Sequence, residues 1–114
     1  MGQGKPRAER ATGVGAIATS ITPTRPSQLE SVRLHLSAVG GAVGAVAFTV
    51  TINSLAAAAV YDTLLFSQDM TAVQDVFWQP DRAVTIMNGD TIDIAYANGS
   101  GLTYGLEVIY KTEF

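Results

Sequence analysis

The stretch that decides the fold runs from Ala83 to Tyr110 and reads AVTIMNGDTIDIAYANGSGLTYGLEVIY. Apolar residues occupy every second position of residues 91–97 and of the second half of residues 102–110, which is the period of a β-strand. An Asn-Gly-Asp turn at 88–90 precedes the first of these segments, and an Asn-Gly-Ser-Gly turn at 98–101 separates the two. Because Asn-Gly accepts positive φ at both turn centres, the first turn predicts a β-hairpin, and the second turn predicts another.

The same strand period recurs upstream, and short turn-rich breaks separate one segment from the next. The predicted strands are Leu29–Ser37, Ala45–Asn53, Tyr61–Gln68, Val73–Gln79, Ala83–Met87, Thr91–Ala97 and Leu102–Tyr110. Ser54 is a favoured N-cap before an alanine run, so a short helical turn is predicted over Leu55–Val60. About seven or eight short strands predict an all-β chain folded as an antiparallel β-sandwich. A jelly roll is the preferred topology, and a small immunoglobulin-like sandwich is the alternative.

The first 28 residues differ in composition from the rest of the chain. They carry one carboxylate and four cations, which are Lys5, Arg7, Arg10 and Arg25. The other three cations and nine of the ten carboxylates lie in residues 29–114. Glycines and prolines interrupt the first 28 residues, so an extended basic N-terminal arm (1–28) is predicted before a β-sandwich domain (29–114). Within this arm, Ala16–Ile21 is expected to add at most a short edge strand.

The residue inventory argues against an enzyme. The chain has no cysteine and a single histidine, His35, which excludes thiolate and multi-histidine metal sites and most catalytic triads. Asp90 and Asp93 lie three positions apart, so in a strand they face opposite sides and do not form an acid–base pair. No serine nucleophile motif is present, and no calcium-loop spacing joins the oxygen ligands of Asp62, Asp69, Asp75 and Asn98. We therefore expect a non-enzymatic protein without a cofactor or metal.

A membrane location is not expected. No Asp, Glu, Lys or Arg occurs from Leu36 to Tyr61, but the purely apolar run ends at Phe48. The threonines after it alternate with apolar residues at the strand period, whereas a spanning helix needs about 20 consecutive apolar residues. The N-terminus also lacks the apolar run of a secretory signal, so none is predicted.

Two sets of residues are candidates for contacts with a partner. The arm cations Lys5, Arg7, Arg10 and Arg25 are sparse, have no aromatic residues among them, and belong to a chain of pI about 4.8. This pattern argues against a nucleic-acid partner and favours contact with an acidic protein surface. The aromatic candidates are Trp78, Tyr96 and Tyr104, since Trp and Tyr are enriched at subunit interfaces. The alternative is that these aromatics form a sugar platform in a carbohydrate-binding or host-recognition module.

Several stretches resemble small structural proteins of tailed phages. They are LLFSQDM at 64–70, VFWQPDR at 76–82, MNGDTIDIAYAN at 87–98 and TYGLEV at 103–108. The resemblance, within residues 29–114, is to head decoration (cement) proteins and related virion subunits with jelly-roll domains. It implies a virion structural protein on the capsid surface, a homo-oligomer whose partners are the major capsid protein or other virion subunits. It carries no individual functional residues, because such proteins act through surfaces.

Overall fold

The computed structural model of the chain describes residues 5–54 and 62–112. Within these ranges the strands are β1 Pro6–Gly13, β2 Ile17–Ile21, β3 Ser27–Leu36, β4 Ala47–Ser54, β5 Thr63–Asp69, β6 Asp75–Trp78, β7 Val84–Ile86, β8 Asp90–Tyr96 and β9 Tyr104–Thr112. The described residues form no helix, and so none with the length and apolar character to cross a membrane. The all-β prediction is confirmed, whereas the helical turn predicted over Leu55–Val60 lies outside the described residues.

The strands form two antiparallel sheets that pack face to face. In the first sheet the order is β1-β9-β3-β6, and β7 pairs with another part of β3. In the second sheet the order is β2-β8-β4-β5. The chain therefore crosses from one sheet to the other at almost every connection, and remains in one sheet only from β4 to β5 and from β6 to β7. This winding is the jelly roll, so the preferred topology is confirmed and the immunoglobulin-like alternative is not.

The core lies between the inner faces of the two sheets, and the strand period explains how it forms. On β3, Val32 and Leu34 are fully buried, and their register partners on β9 are Val108 and Leu106. The second sheet contributes a facing set of buried side chains, Phe48, Val50, Ile92 and Ile94. Full burial of a side chain of this size contributes about 1.5–3 kcal/mol relative to exposure, so these central strands hold the two sheets together.

Neither of the two predicted hairpins exists. β7 pairs with β3 and β8 pairs with β2 and β4, so the turn at 87–90 joins different sheets. Positive φ occurs there only at Gly89, which matches a type II turn and not the type I′ turn of a two-residue hairpin. In the second turn, positive φ occurs at Asn98 and Gly101, the ends of the turn and not its centre. Both turns therefore lead the chain from one sheet to the other.

The prediction of a separate N-terminal arm is wrong for residues 6–21. β1 forms the edge of the first sheet beside β9, and β2 forms the edge of the second sheet beside β8. Ile17 and Ile21 are 2% and 5% exposed and belong to the core. The segment shows no clear sequence period because residues 5–10 are exposed in the structure. The expected short edge strand over Ala16–Ile21 is confirmed, and residue 28 lies inside β3 and is not a domain boundary.

The substitution Ile17→Ala tests whether the N-terminal segment belongs to the core. We expect it to lower the free energy of unfolding by about 2–5 kcal/mol, because it removes buried methylenes from a packed interior. Urea denaturation followed by tryptophan fluorescence measures this change. The control is Val14→Ala, at a side chain that is 62% exposed, where we expect a change within about 0.5 kcal/mol. Equal stability of the two variants would contradict the placement of β2 in the sandwich.

Candidate functional site

Four connections without charge meet at one end of the sandwich. They are residues 14–16, 37–46, 70–74 and 97–103, and none contains Asp, Glu, Lys, Arg or His. We call them together the loop end. Three of its valines are more than half exposed: Val14 at 62%, Val39 at 55% and Val43 at 61%. Exposed apolar side chains on neighbouring uncharged loops are typical of a protein contact surface.

Asn98 joins two of these connections from within. Its side-chain nitrogen donates hydrogen bonds to the carbonyls of Gly15 at 3.0 Å and Leu102 at 2.8 Å. Its side-chain oxygen accepts a bond from the amide of Leu102 at 3.1 Å. The residue is only 4% exposed and adopts a left-handed φ of 52°, which asparagine tolerates better than most residues. Asn98 thus fixes the 97–103 connection against the 14–16 connection.

Two glycines allow the remaining connections to pack backbone against backbone. A Cβ on Gly40 would lie 2.2 Å from the carbonyl oxygen of Met70, and one on Gly99 would lie 2.4 Å from that of Val43. The amide of Gly40 also donates a 2.8 Å hydrogen bond to the carbonyl of Val73. The connection at 37–46 is therefore in direct contact with both 70–74 and 97–103.

Asn98→Asp tests the role of the asparagine side chain in holding the loop end. The replaced nitrogen becomes an oxygen that faces backbone carbonyls, so we expect the free energy of unfolding to fall by about 1–3 kcal/mol. The matched control is Asn88→Asp, at an exposed turn position, where we expect a change within about 0.5 kcal/mol. Chemical denaturation of both variants gives the comparison, and an unchanged Asn98→Asp would contradict this role.

Three of the four candidate cations lie together at the opposite end of the sandwich. Lys5, Arg7 and Arg25 line a cleft of about 510 Å³ together with Glu9, Thr22, Thr24, Tyr110 and Thr112. Burial raises the pKa of Tyr110, and the Glu9 carboxylate raises it further while Arg7 lowers it. The cleft contains three cations and one carboxylate, and it is suited to an acidic partner. That these cations contact a protein remains a prediction.

The fourth candidate cation, Arg10, lies elsewhere, on the outer face of the first sheet. Its Nε donates to Oε2 of Glu107 at 2.7 Å, and Nη2 of Arg33 donates to Oε1 of the same carboxylate at 2.7 Å. The hydrogen bond from Arg10 lowers the pKa of Glu107 below its ordinary value, partial desolvation opposes the shift, and the charge of Arg33 lowers the pKa further. One carboxylate therefore joins β1, β9 and β3 across the sheet.

Arg10→Met tests this ion pair through the titration of Glu107. The folded protein lowers the pKa of Glu107, so the pair contributes stability above the unfolded pKa and loses it as the pH falls through the folded pKa. Removing Arg10 should raise the pKa of Glu107 toward its ordinary value. A carboxyl-carbon NMR titration measures the shift. Arg7→Met is the control and should leave it unchanged, and equal titration in both variants would contradict the pairing.

The three aromatic candidates do not share an exposed face. Trp78 is partly buried and stacks on Phe66 with ring centroids 5.2 Å apart. Tyr96 is 4% exposed, and Tyr104 is partly buried against the core. The alternative of a sugar platform built from these three residues is therefore not supported by their burial. Among the aromatics of residues 5–54 and 62–112, Phe77 is the exposed one at 63%. Strand β6 directs Val76 and Trp78 inward and Phe77 outward, a choice that the Phe77-Trp78 pair alone left open.

Other carboxylates of the described residues bond to turns and to neighbouring strands. Asp90 accepts a hydrogen bond from the amide of Met87 at 3.1 Å, and Asp93 accepts one from the hydroxyl of Ser20 at 2.7 Å. The amide of Thr71 lowers the pKa of Asp69 by hydrogen bonding to its carboxylate. Among residues 5–54 and 62–112, no three His, Cys, Asp or Glu side chains are grouped as a metal site would require. His35 is exposed, as its place in the strand pattern predicted, and pairs with Asp75.

Comparison with known proteins shows the fold and no family. No protein-family model and no curated protein matches the chain. A similar solved structure is a variant of chitosan-binding module 1 from a chitosanase/glucanase of Paenibacillus sp. IK-5, with a TM-score of 0.52 and 10% identity over 96% of this chain and 99% of that one. Another structure of this module has a TM-score of 0.51 and 10% identity, over 90% of this chain and 92% of that one.

A structure of infectious bursal disease virus Gx strain is similar at a lower level. Its TM-score is 0.45 with 11% identity, over 97% of this chain and 33% of that one, which is too distant to bear on function. At 10% identity, the likeness to the chitosan-binding module shows a shared fold and does not extend to its ligand. The chain is a β-sandwich.

Proposed function

We propose that this chain is a virion structural protein, a decoration or cement subunit that binds and stabilises the head shell of a tailed phage. The observation that carries the proposal is the loop end, four connections without a charged side chain and with three exposed valines. The cores of protein interfaces are depleted of charged residues, and the loop end likewise has no charged side chain.

The construction of the loop end favours a preformed contact surface. Asn98 and the close approaches at Gly40 and Gly99 hold the connections against one another before any partner binds. Little conformational entropy is then lost on association, so exposed valines of modest area can contribute to affinity. The proposed partner of this surface is the major capsid protein or another virion subunit, and the proposed location is the capsid surface.

Three further observations support a binding role over a catalytic one. The sequence resembles phage decoration proteins, and the solved structures with the same fold include a module whose stated role is to bind a polysaccharide. The carboxylates Asp90 and Asp93 hold turns and neighbouring strands instead of converging on a common point. The cationic cleft lies at the far end of the sandwich, where it can contact an acidic neighbour, including a second copy of the chain.

Replacing two valines of the loop end tests the proposal. Particles are prepared from the phage that encodes the chain, with its gene deleted, and are then mixed with added protein. We expect Val39→Ser combined with Val43→Ser to weaken particle binding at least about tenfold. A tenfold loss of affinity corresponds to about 1.4 kcal/mol, which is less than the burial of two valine side chains contributes. Gel densitometry of sedimented particles measures the occupancy at each protein concentration.

The control for this experiment is an exposed apolar residue away from the loop end. Leu64 is 57% exposed on β5 of the second sheet, and Leu64→Ser should bind particles like the unchanged chain. Thermal unfolding checks that the valine variant remains folded. Full occupancy by the folded double variant, or a failure of the unchanged chain to bind particles, would overturn the proposal.

A further inference from the structure

We infer that the outer face of the first sheet is a binding site for a neutral glycan, with Phe77 as the platform for a sugar ring. This site is separate from the loop end and goes beyond the proposed attachment to a shell. It consists of a depression of about 650 Å³ lined by residues of β3, β6 and β9. We call it the outer-face groove.

The floor of the groove exists because one strand position has no side chain. Gly105 on β9 lies between Thr12 of β1 and His35 of β3 in the sheet register. A Cβ built at Gly105 meets nothing within 4 Å, so the space above this position is open. The groove extends over the same glycine toward β1 as a second depression of about 350 Å³, lined by Arg10, Ala11, Thr12, Gly105 and Leu106. Together they could hold more than one sugar unit.

An aromatic ring stands at the β6 side of this floor. Phe77 is 63% exposed, although a solvated strand position would ordinarily carry a polar residue. The negative face of an aromatic ring attracts the C–H groups of an apolar sugar face, which provides dispersion contact and loss of water from both surfaces. Phe77 is the register partner of Arg33, so the ring lies directly beside polar groups that can bind hydroxyls.

The polar groups along the groove are held in place before a ligand arrives. Arg33, Glu107 and Arg10 lie in register across three strands and are joined by the two 2.7 Å ion pairs. His35 and Asp75 form a second pair in the next row of the sheet. Planar guanidinium and carboxylate groups can donate to or accept from two adjacent sugar hydroxyls. Because the side chains are already paired, binding immobilises few further rotamers.

The charge balance favours an uncharged ligand. The two arginines of the groove are matched by two carboxylates, Glu107 and Asp75. A polyanion or polycation would therefore meet as much repulsion as attraction along this face. A neutral hexose or N-acetylhexosamine chain would meet donors and acceptors in alternation. The cationic cleft at the other end of the molecule has an excess of positive charge, so a polyanion would bind there and not in the groove.

The experiment uses the full chain in solution and no particles, so its result is independent of attachment to a shell. Three neutral oligosaccharides, cellohexaose, maltohexaose and fully acetylated chitohexaose, are titrated into labelled protein and followed by amide NMR. Hyaluronan and deacetylated chitosan oligomers serve as the charged alternatives. We expect a neutral oligosaccharide to shift the amides of Arg33, Phe77 and Gly105, and the charged ones to shift them less.

Two variants and one control then test the assignment. Phe77→Ala removes the ring, and Gly105→Leu fills the open floor without a positive φ to strain it, so each should weaken binding at least about tenfold. Leu64→Ala, at a comparably exposed apolar position of the other sheet, should bind as before. No binding of a neutral oligosaccharide, amide shifts confined to the loop end or cationic cleft, preference for a charged oligomer, or unchanged affinity in Phe77→Ala would each overturn the inference.

Discussion

The structure depends on the apolar contact between the inner faces of two sheets whose strands alternate along the chain. Val32 and Leu34 of the first sheet, and Val50 and Ile94 of the second, have essentially no exposure to solvent. Because nearly every connection crosses between the sheets, the loops are distributed over the two ends of the sandwich. The burial that closes the core thereby decides which loops meet, and the 70–74 connection adds Met70, which is fully buried in that core.

The surfaces that follow from this winding differ in chemistry. The loop end is uncharged, and its shape depends on buried polar and backbone contacts, above all on Asn98 and on the absence of a Cβ at Gly40. The opposite end contains a cleft with three cations. The two ends of the sandwich therefore differ in chemistry, one with exposed apolar side chains and the other with a charged cleft.

The strands were predictable from the sequence, but their partners were not. Alternation at residues 29–37 and 91–97 marks one buried face, which is a local property, and the observed strands differ from the predicted ones by a few residues. The turn at 87–90 has hairpin-like sequence, yet sheet membership depends on which apolar faces meet after collapse. The edge strand β1 was missed because it is almost entirely exposed and so leaves no period. The next strand along the chain, β2, was expected over Ala16–Ile21 and is observed over Ile17–Ile21.

The candidate sites were less predictable than the strands because each combines residues that are far apart in the chain. Arg10, Glu107, Arg33 and Phe77 lie in one row across four strands, and only the β1–β9, β9–β3 and β3–β6 registers bring them together. The loop end depends in the same way on four separate connections. The loop end and the outer-face groove are supported by the same core. No surface residue belongs to both of them. The proposed attachment and the proposed glycan recognition can therefore change independently, since a surface substitution in one leaves the packing that supports the other intact.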